Sequence, residues 1–207
     1  MTREQNRVRV AVAALTLSAS AFVALVRHEG YTGKAVIPTT GDVPTVGFGS
    51  TRHEDGRAVQ LGDTTTPVDA LQTAIAHISK DESAFRASLP GVSLTQGEYD
   101  VYLDFVYQYG VAAWRASAMR QRLLAGQHRQ ACDALLGWRF ITDTRPHPGW
   151  QVARRDAAGR AVRWRFDCAT PGNKTCAGVW ARQQKRHADC IAAQPESLTP
   201  LRKENHD

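Results

Sequence analysis

The sequence predicts an α+β fold that is mainly helical and carries a small antiparallel β-hairpin. Several stretches repeat apolar residues at helical spacing and are bounded by capping residues, which indicates helices. The Gly- and Thr-rich stretch before Thr51 has the composition of a hairpin. At 207 residues, with 43% hydrophobic and 22% charged residues, the chain is long enough for a sizeable core, and its composition argues against general disorder.

The predicted helices have recognisable starts and stops. Thr66-Pro67-Val68-Asp69 combines an N-cap Thr, Pro at the first helical position and an acid, and Pro90-Gly91 stops that helix after about Leu89. Leu94-Thr95-Gln96 opens the next helix, which Gly110 breaks before Trp114. Shorter helices are predicted over residues 117–125 and 128–136. The aromatic residues of the 94–110 helix are expected in the core, with substrate stacking by one of them as the alternative: Phe105, Tyr107 and Tyr109.

The N-terminal segment has the pattern of an export signal. Residues 1–9 contain three arginines and one acid: Arg3, Arg7, Arg9 and Glu4. Seventeen uncharged residues, Val10 to Val26, follow before the next charge. That length is marginal for a membrane span, which needs about 20 apolar residues. Three interpretations stay open: a signal peptide cleaved at Ala19-Ser20-Ala21, a signal anchor that later leaves the membrane, and a plain core helix. Phe22, Leu25 and Val26 form the apolar stripe of a packed helix.

Four cysteines allow three pairings. We favour Cys168–Cys176, which closes a short loop containing Pro-Gly-Asn, and Cys132–Cys190, which would join two helices. Export permits disulfides. The spacings match no C-x₂-C zinc pattern, so no metal site is expected.

The net charge of +6 favours anionic partners or simply a soluble surface. No recognisable nucleic-acid-binding module accompanies it, so no nucleic acid is expected. Gly47-Phe48-Gly49 lacks the Gly-Lys-Ser/Thr ending of a phosphate loop, and no Ser-His-Asp spacing stands out.

One constellation does carry chemistry. A predicted helix ends at Glu29-Gly30, and the hairpin that follows carries Asp42 and Thr45. A carboxylic acid at the end of a rigid element would thus face polar groups on a folded-back ribbon. This is a minimal arrangement for cleaving a sugar–sugar bond, because the glycosidic oxygen leaves poorly unless an acid protonates it.

The residues around this constellation resemble a known family. Glu29-Gly30 followed by VPTVGFGST (Val43 to Thr51) is similar to the phage-type lysozymes of glycoside hydrolase family 24, the endolysins of tailed phages. Leu94–Gly110, Met119–Trp138 and Gly178–Cys190 resemble the central helix, the following helices and the last helix of that family. The resemblance covers roughly residues 22–138 and 178–190. It implies a phage-lysozyme-like fold with a small β-hairpin N-lobe and a helical C-lobe.

The resemblance also implies an activity: hydrolysis of the β-1,4 bond between N-acetylmuramic acid and N-acetylglucosamine in peptidoglycan, for host cell lysis, without a cofactor. Glu29 would be the general acid, kept protonated near neutral pH by partial burial, and Thr45 would position the attacking water. Thr39, Gly47 and Gln108 are expected to contact the glycan. The enzyme is expected to act as a monomer.

The sequence departs from the family pattern at the second carboxylate. The usual spacing is Glu, eight residues, Asp or Cys, five residues, Thr. Here Thr39 stands six residues before Thr45, the interval from Glu29 is one residue longer, and the nearby carboxylate is Asp42. Asp42 could act as the base, whereas Thr39 could only hold a water. Two other functions stay open: a lytic transglycosylase that needs one Glu, and a non-catalytic peptidoglycan-binding protein.

The expected organisation follows from these segments. Residues 1–26 form the signal anchor or signal peptide, whose end doubles as the first helix of the fold. Residues 22–195 form the catalytic domain, and 196–207 a polar tail. The anchor interpretation matches family members of the signal-anchor-release type and implies an exported protein, tethered to the host inner membrane and then periplasmic.

An inserted hairpin is predicted within about 141–177, a stretch without a clear counterpart in compact family members. Val162, Trp164 and Phe166 alternate after Asp156-Ala157-Ala158-Gly159. The other face is expected to carry four arginines: Arg154, Arg155, Arg163 and Arg165. That face is either simply solvated or an added contact with the cell wall.

Overall fold

The computed structural model describes residues 8–39 and 41–195. Arg3, Glu4, Arg7 and the predicted tail over 196–207 therefore lie outside the described residues. The helices are α1 Ala19–Glu29, α2 Pro67–Ala87, α3 Gln96–Ala116, α4 Ala118–Leu124, α5 His128–Ala134 and α6 Ala177–Ala192. The strands are β1 Val10–Ala11, β2 Thr32–Val36, β3 Thr45–Gly47, β4 Ser93–Leu94, β5 Phe140–Asp143, β6 Gln151–Arg155 and β7 Ala161–Asp167. The predicted α+β, mainly helical class is confirmed.

The described chain divides into two compact units after Ser117. The first contains α1 to α3 and β1 to β4, and the second spans residues 118–194. The predicted boundaries at 22 and 195 stay predictions.

The two long helices begin where the sequence predicts. Thr66 caps α2 by accepting a hydrogen bond from the Asp69 backbone N–H. At the start of α3, Thr95 and Glu98 form a capping box in which each side chain accepts from the other's backbone N–H. Gly110 has φ +81° and interrupts the regular helical geometry of α3, as predicted.

The core of the first unit is aromatic. Phe85 of α2 contacts Tyr99 and Trp114 of α3, with ring centroids 5.3 and 4.9 Å away. Trp114 is fully buried, and its indole N–H donates to the Ser88 hydroxyl over 2.8 Å. Phe105 is buried as predicted, whereas the two tyrosines predicted beside it are only half-buried: Tyr107 and Tyr109.

The segment before α1 is built into the first unit. β1 pairs antiparallel with β4, and a short 3₁₀ turn at Val12–Ala14 follows. Ser18 then caps α1, so Ala19, Ser20 and Ala21 occupy the first turn of that helix. Leu25 and Val26 are buried, in keeping with the predicted apolar stripe. Within the described residues, no helix combines the length and apolar character that a membrane crossing requires.

The second unit contains a three-stranded antiparallel sheet in the order β5-β7-β6, together with α4 to α6. The predicted hairpin corresponds to β6 and β7, and β5 is a third strand that the sequence pattern did not indicate. Both favoured disulfides are present: Cys132–Cys190 joins α5 to α6, and Cys168–Cys176 closes the loop before α6. No cysteine of the chain is free.

Candidate active site

Glu29 is the last residue of α1. The helix ends there because Gly30 adopts φ +70°, a backbone conformation that L side chains disfavour, which turns the chain out of the helical path. Glu29 is exposed. The partial burial expected for this acid is therefore not found, because the side chain at the end of α1 stays in contact with water.

β2 and β3 form the predicted antiparallel hairpin. Val36 pairs with Thr45 at the loop end, and Thr32 pairs with Gly47 at the helix end, with an irregularity between the two pairs. Ala35, Val46 and Val59 bury against one another beneath this ribbon. The hairpin is thus anchored by its own small apolar cluster.

The turn Gly47-Phe48-Gly49 approaches two helices closely. A Cβ atom at Gly49 would lie 3.5 Å from Oε2 of Glu29, so the turn and the catalytic candidate are neighbours. A Cβ atom at Gly47 would lie 2.9 Å from the Cβ of Ala70 in α2, too close to accommodate. Both glycines have positive φ, +67° at Gly47 and +76° at Gly49. Gly47 is buried, which gives it a packing role; its predicted glycan contact stays a prediction.

Aromatic side chains hold the same turn. The rings of Tyr31 and Phe48 lie 5.5 Å apart, and the Tyr31 hydroxyl donates to the Thr65 carbonyl over 3.0 Å. The Tyr107 hydroxyl of α3 donates to the Phe48 carbonyl over 3.5 Å. Tyr31 was not predicted as a site residue, although it directly follows Glu29-Gly30 in the sequence. These contacts connect α3 to the turn beside Glu29.

Asp42 lies in the loop between β2 and β3. Its side chain is exposed, and Oδ1 accepts from the Val43 backbone N–H over 2.8 Å. Its own N–H donates to the Thr39 carbonyl over 2.9 Å, which closes a tight turn. Among the described residues of the loop that leads into Thr45, Asp42 carries the carboxylate. Thr39 takes part in the same turn through its backbone carbonyl.

Thr45 is half-buried at the first position of β3, and its hydroxyl donates to the Val36 carbonyl over 3.5 Å. Gln108 is exposed on α3, two residues before the break at Gly110. The Gly49 turn is a direct neighbour of the Glu29 carboxylate, while Asp42 lies in the loop between β2 and β3 and Gln108 lies on α3. Over residues 8–39 and 41–195, no group of three His, Cys, Asp or Glu side chains has the arrangement of a metal site.

Residues 6–158 match the family described as phage lysozyme. The endolysin of Salmonella phage P22 is 30% identical over 125 residues, which is 60% of this chain and 84% of that protein.

Two solved structures share the fold. The endolysin from Escherichia coli O157:H7 phage FAHEc1 superposes with a TM-score of 0.65 at 21% identity, covering 86% of this chain and 94% of that chain. A crystal structure of a P22 lysozyme mutant gives a TM-score of 0.58 at 21% identity, covering 86% and 99%. The phage-lysozyme-like fold predicted from the sequence is confirmed.

Proposed function

Since the chain belongs to the phage lysozyme family and is a peptidoglycan-degrading enzyme, we propose that it hydrolyses the β-1,4 bond between N-acetylmuramic acid and N-acetylglucosamine. Glu29 is the general acid of this reaction. The reaction serves lysis of the host cell. The observation that carries the proposal is the position of Glu29 at the fixed end of α1, with its carboxylate beside the Gly49 turn.

The chemistry requires an acid that delivers a proton to the leaving oxygen. A side chain at a helix terminus starts from a rigid backbone, so its carboxyl samples a small volume. The Glu29 side chain is exposed. A glycan strand bound beside the Gly49 turn would cover this carboxyl and exclude water from it.

The opposite face of the sugar ring needs a water and a group that accepts its proton. Thr45, held at the start of β3, positions that water, and Asp42 in the preceding loop accepts the proton. An inverting glycosidase separates acid and base by roughly 6.5–9.5 Å to leave room for the water. Thr39, Gly47 and Gln108 are proposed glycan contacts around this centre.

A second reaction is favoured by one observation, the absence of a carboxylate at residue 39. A lytic transglycosylase needs a single Glu, because a hydroxyl of the sugar attacks intramolecularly and leaves an anhydro product. A non-catalytic wall-binding protein is disfavoured, since binding alone requires neither Glu29 nor Thr45.

Mass spectrometry of muropeptides released from purified sacculi separates these reactions. Wild type is compared with Glu29→Gln and with Glu54→Gln, a matched substitution at another exposed glutamate. Reducing-end products that disappear only in Glu29→Gln support the hydrolase, and anhydro products support the transglycosylase. Full activity of folded Glu29→Gln would refute the assignment of the acid.

We further propose that the chain is exported as a monomer and that residues 10–26 tether it to the inner membrane before release into the periplasm. The absence of charge in this segment supports its insertion into the membrane. Its weak hydrophobicity keeps the inserted and released states close in free energy, so the segment can leave the membrane. Membrane flotation of intact cells, before and after collapse of the proton gradient, tests this. Protein that is soluble and shortened at Ala21 from the start would contradict it.

A further inference from the structure

Three arginines occupy one face of the sheet in the second unit. Arg163 and Arg165 lie two positions apart on β7, so they point to the same side, and both are exposed. The residues between and beside them are half-buried: Val162, Trp164 and Phe166.

A bulge in β6 brings a third arginine to that side. Gln151 pairs with Arg165 and Val152 with Trp164, but Arg154, not Ala153, pairs with Arg163. The extra residue shifts the alternation, and Arg154 therefore shares the side of its partner Arg163. We call Arg154, Arg163 and Arg165 the arginine face. Arg155, predicted with them, instead donates to the Gly159 carbonyl in the hairpin turn.

Three other arginines around this sheet, which lie off the arginine face, have acidic partners. Arg139 pairs with Asp167 at 3.2 Å, Arg145 with Asp143 at 3.4 Å and Arg160 with Asp156 at 2.9 Å. Among the described residues, by contrast, no carboxylate pairs with a guanidinium of the arginine face. The contact found there is Arg165 over the Phe140 ring, 4.7 Å from its centroid.

The opposition of Arg154 and Arg163 does not stabilise the sheet. Directly opposed residues of an antiparallel pair have Cβ atoms about 5 Å apart, and like charges there are destabilising. Arg154 and Arg163 are such a pair, and Arg165 adds a third charge about 7 Å along the strand. Three closely spaced, exposed cations form a site that an anion would stabilise.

We propose that the arginine face binds the peptide-stem carboxylates of peptidoglycan and thereby holds the enzyme on its polymeric substrate. This proposal rests on peptidoglycan as the substrate but not on which bond is cleaved. A guanidinium group binds a carboxylate through two parallel hydrogen bonds. A peptide stem carries several carboxylates along its length, so it can pair with several neighbouring arginines. The partner is therefore the uncut polymer, and small peptide-free glycans do not engage this face.

The test compares two triple variants that both lower the net charge from +6 to +3. One is Arg154→Gln/Arg163→Gln/Arg165→Gln. The control changes three exposed cations elsewhere, Arg115, Arg129 and Lys174, to Gln. Binding to purified sacculi is measured by cosedimentation on ice during a short contact time, so that the result does not depend on the catalytic residue or the reaction type.

We expect the arginine-face variant to bind sacculi about tenfold more weakly at 0.1 M salt, and the control less than twofold. Sacculi whose carboxylates have been amidated should bind wild type as weakly as the arginine-face variant. Thermal unfolding should show little net change in stability in that variant, because the repulsion between Arg154 and Arg163 is removed while the contact of Arg165 with the Phe140 ring is lost. Arg163→Gln alone should give part of the same loss of binding.

Equal binding by the two triple variants would overturn the proposal. So would an undiminished wild-type affinity for amidated sacculi. A loss specific to the arginine face on anionic lipid vesicles or duplex DNA, without one on sacculi, would assign the face to that other polyanion and would also overturn it. Loss of turnover in Glu29→Gln is measured separately and bears on the proposed reaction alone.

Discussion

Arg9 donates two parallel hydrogen bonds to the carboxylate of Glu98, from Nε to Oε2 over 3.0 Å and from Nη2 to Oε1 over 2.9 Å. The Glu98 side chain is completely buried, and that of Arg9 is 26% exposed. The Glu98 carboxylate also accepts from the Thr95 N–H. A residue near the start of the described chain therefore neutralises a buried acid at the start of α3, 89 positions away.

The same segment serves two further acids. The Leu17 N–H donates to Glu82 over 2.9 Å, and Ser18 donates to Asp100 through its N–H over 3.0 Å and its hydroxyl over 2.7 Å. Burial raises the pKa of Asp100 despite these hydrogen bonds from Ser18. Cleavage after Ala21 would remove all of these donors. The segment that has the composition of an export signal is also a structural part of the first unit.

The first prediction follows from the ion pair. Arg9→Met leaves the Glu98 carboxylate buried without its charged partner, and we expect a loss of about 2–3 kcal/mol in the free energy of unfolding. Urea denaturation measures this. Arg57→Met is the control: its partner Asp63 is partly exposed and keeps the hydrogen bond to His53, so less than about 1 kcal/mol should be lost. Equal losses in the two variants would refute the role given to Arg9.

The sequence revealed the features that are local and missed those that depend on distant pairing. Thr66 and Thr95 were identifiable as helix caps because a cap and its partner lie three residues apart. β5 has no comparable local sequence signal, because it forms by pairing with β7, more than twenty residues further along the chain. The docking of the N-terminal segment was equally hidden, because no local pattern matches Arg9 to Glu98.

The candidate site shows the same division. Glu29-Gly30 and the hairpin glycines were visible as a helix end and a turn, since Gly marks positions that need positive φ. The exposure of Glu29 was not predictable from its neighbours in sequence. It depends on how much of the carboxyl the Gly49 turn covers, and that follows from the tertiary arrangement of α1 and the hairpin.

Asp63 gives a prediction in acid. The Gln60 backbone N–H and the His53 ring lower the pKa of Asp63 from 3.8 to about 2, with a smaller contribution from Arg57. A carboxylate with a lowered folded-state pKa stabilises the protein above its unfolded-state pKa. This contribution is therefore complete above about pH 4 and is lost as the pH falls toward 2.

Asp63→Asn should consequently be less stable than wild type at pH 6, with the difference shrinking between pH 4 and pH 2. Urea midpoints at intervals across that range measure the difference. Glu54→Gln, at an exposed neighbouring position, should follow the wild-type curve. A constant gap between Asp63→Asn and wild type down to pH 2 would contradict the assignment.

The two disulfides should differ in their effect on stability. Cys132–Cys190 spans 58 positions and Cys168–Cys176 spans 8, so loop-closure entropy predicts contributions of about 4 and about 2.6 kcal/mol. Cys132→Ser/Cys190→Ser should therefore unfold at a lower temperature than Cys168→Ser/Cys176→Ser. Calorimetry of both double variants tests the order, and the reverse order would show that native-state packing outweighs chain entropy here.

The close approach of Gly49 to Glu29 yields a prediction about activity. A methyl group at residue 49 would sit 3.5 Å from Oε2 of Glu29, in ordinary contact with the proposed general acid. The φ of +76° adds backbone strain of about 1 kcal/mol for any L side chain. Gly49→Ala should thus lose a little stability, but it should lower the rate of peptidoglycan degradation by at least about tenfold, because the methyl group restricts the positions that the Glu29 carboxyl can adopt beside the turn.

Gly56→Ala separates the two effects. Gly56 has φ +85°, so alanine is strained there to a similar degree, yet nothing lies within 4 Å of the added methyl group. Its stability loss should match that of Gly49→Ala, while its rate of sacculus degradation stays near wild type. A turbidity assay on sacculi, with protein folding verified by circular dichroism, measures both rates. If the two variants lose activity equally, strain alone accounts for the loss, and the contact between residue 49 and Glu29 has no catalytic consequence.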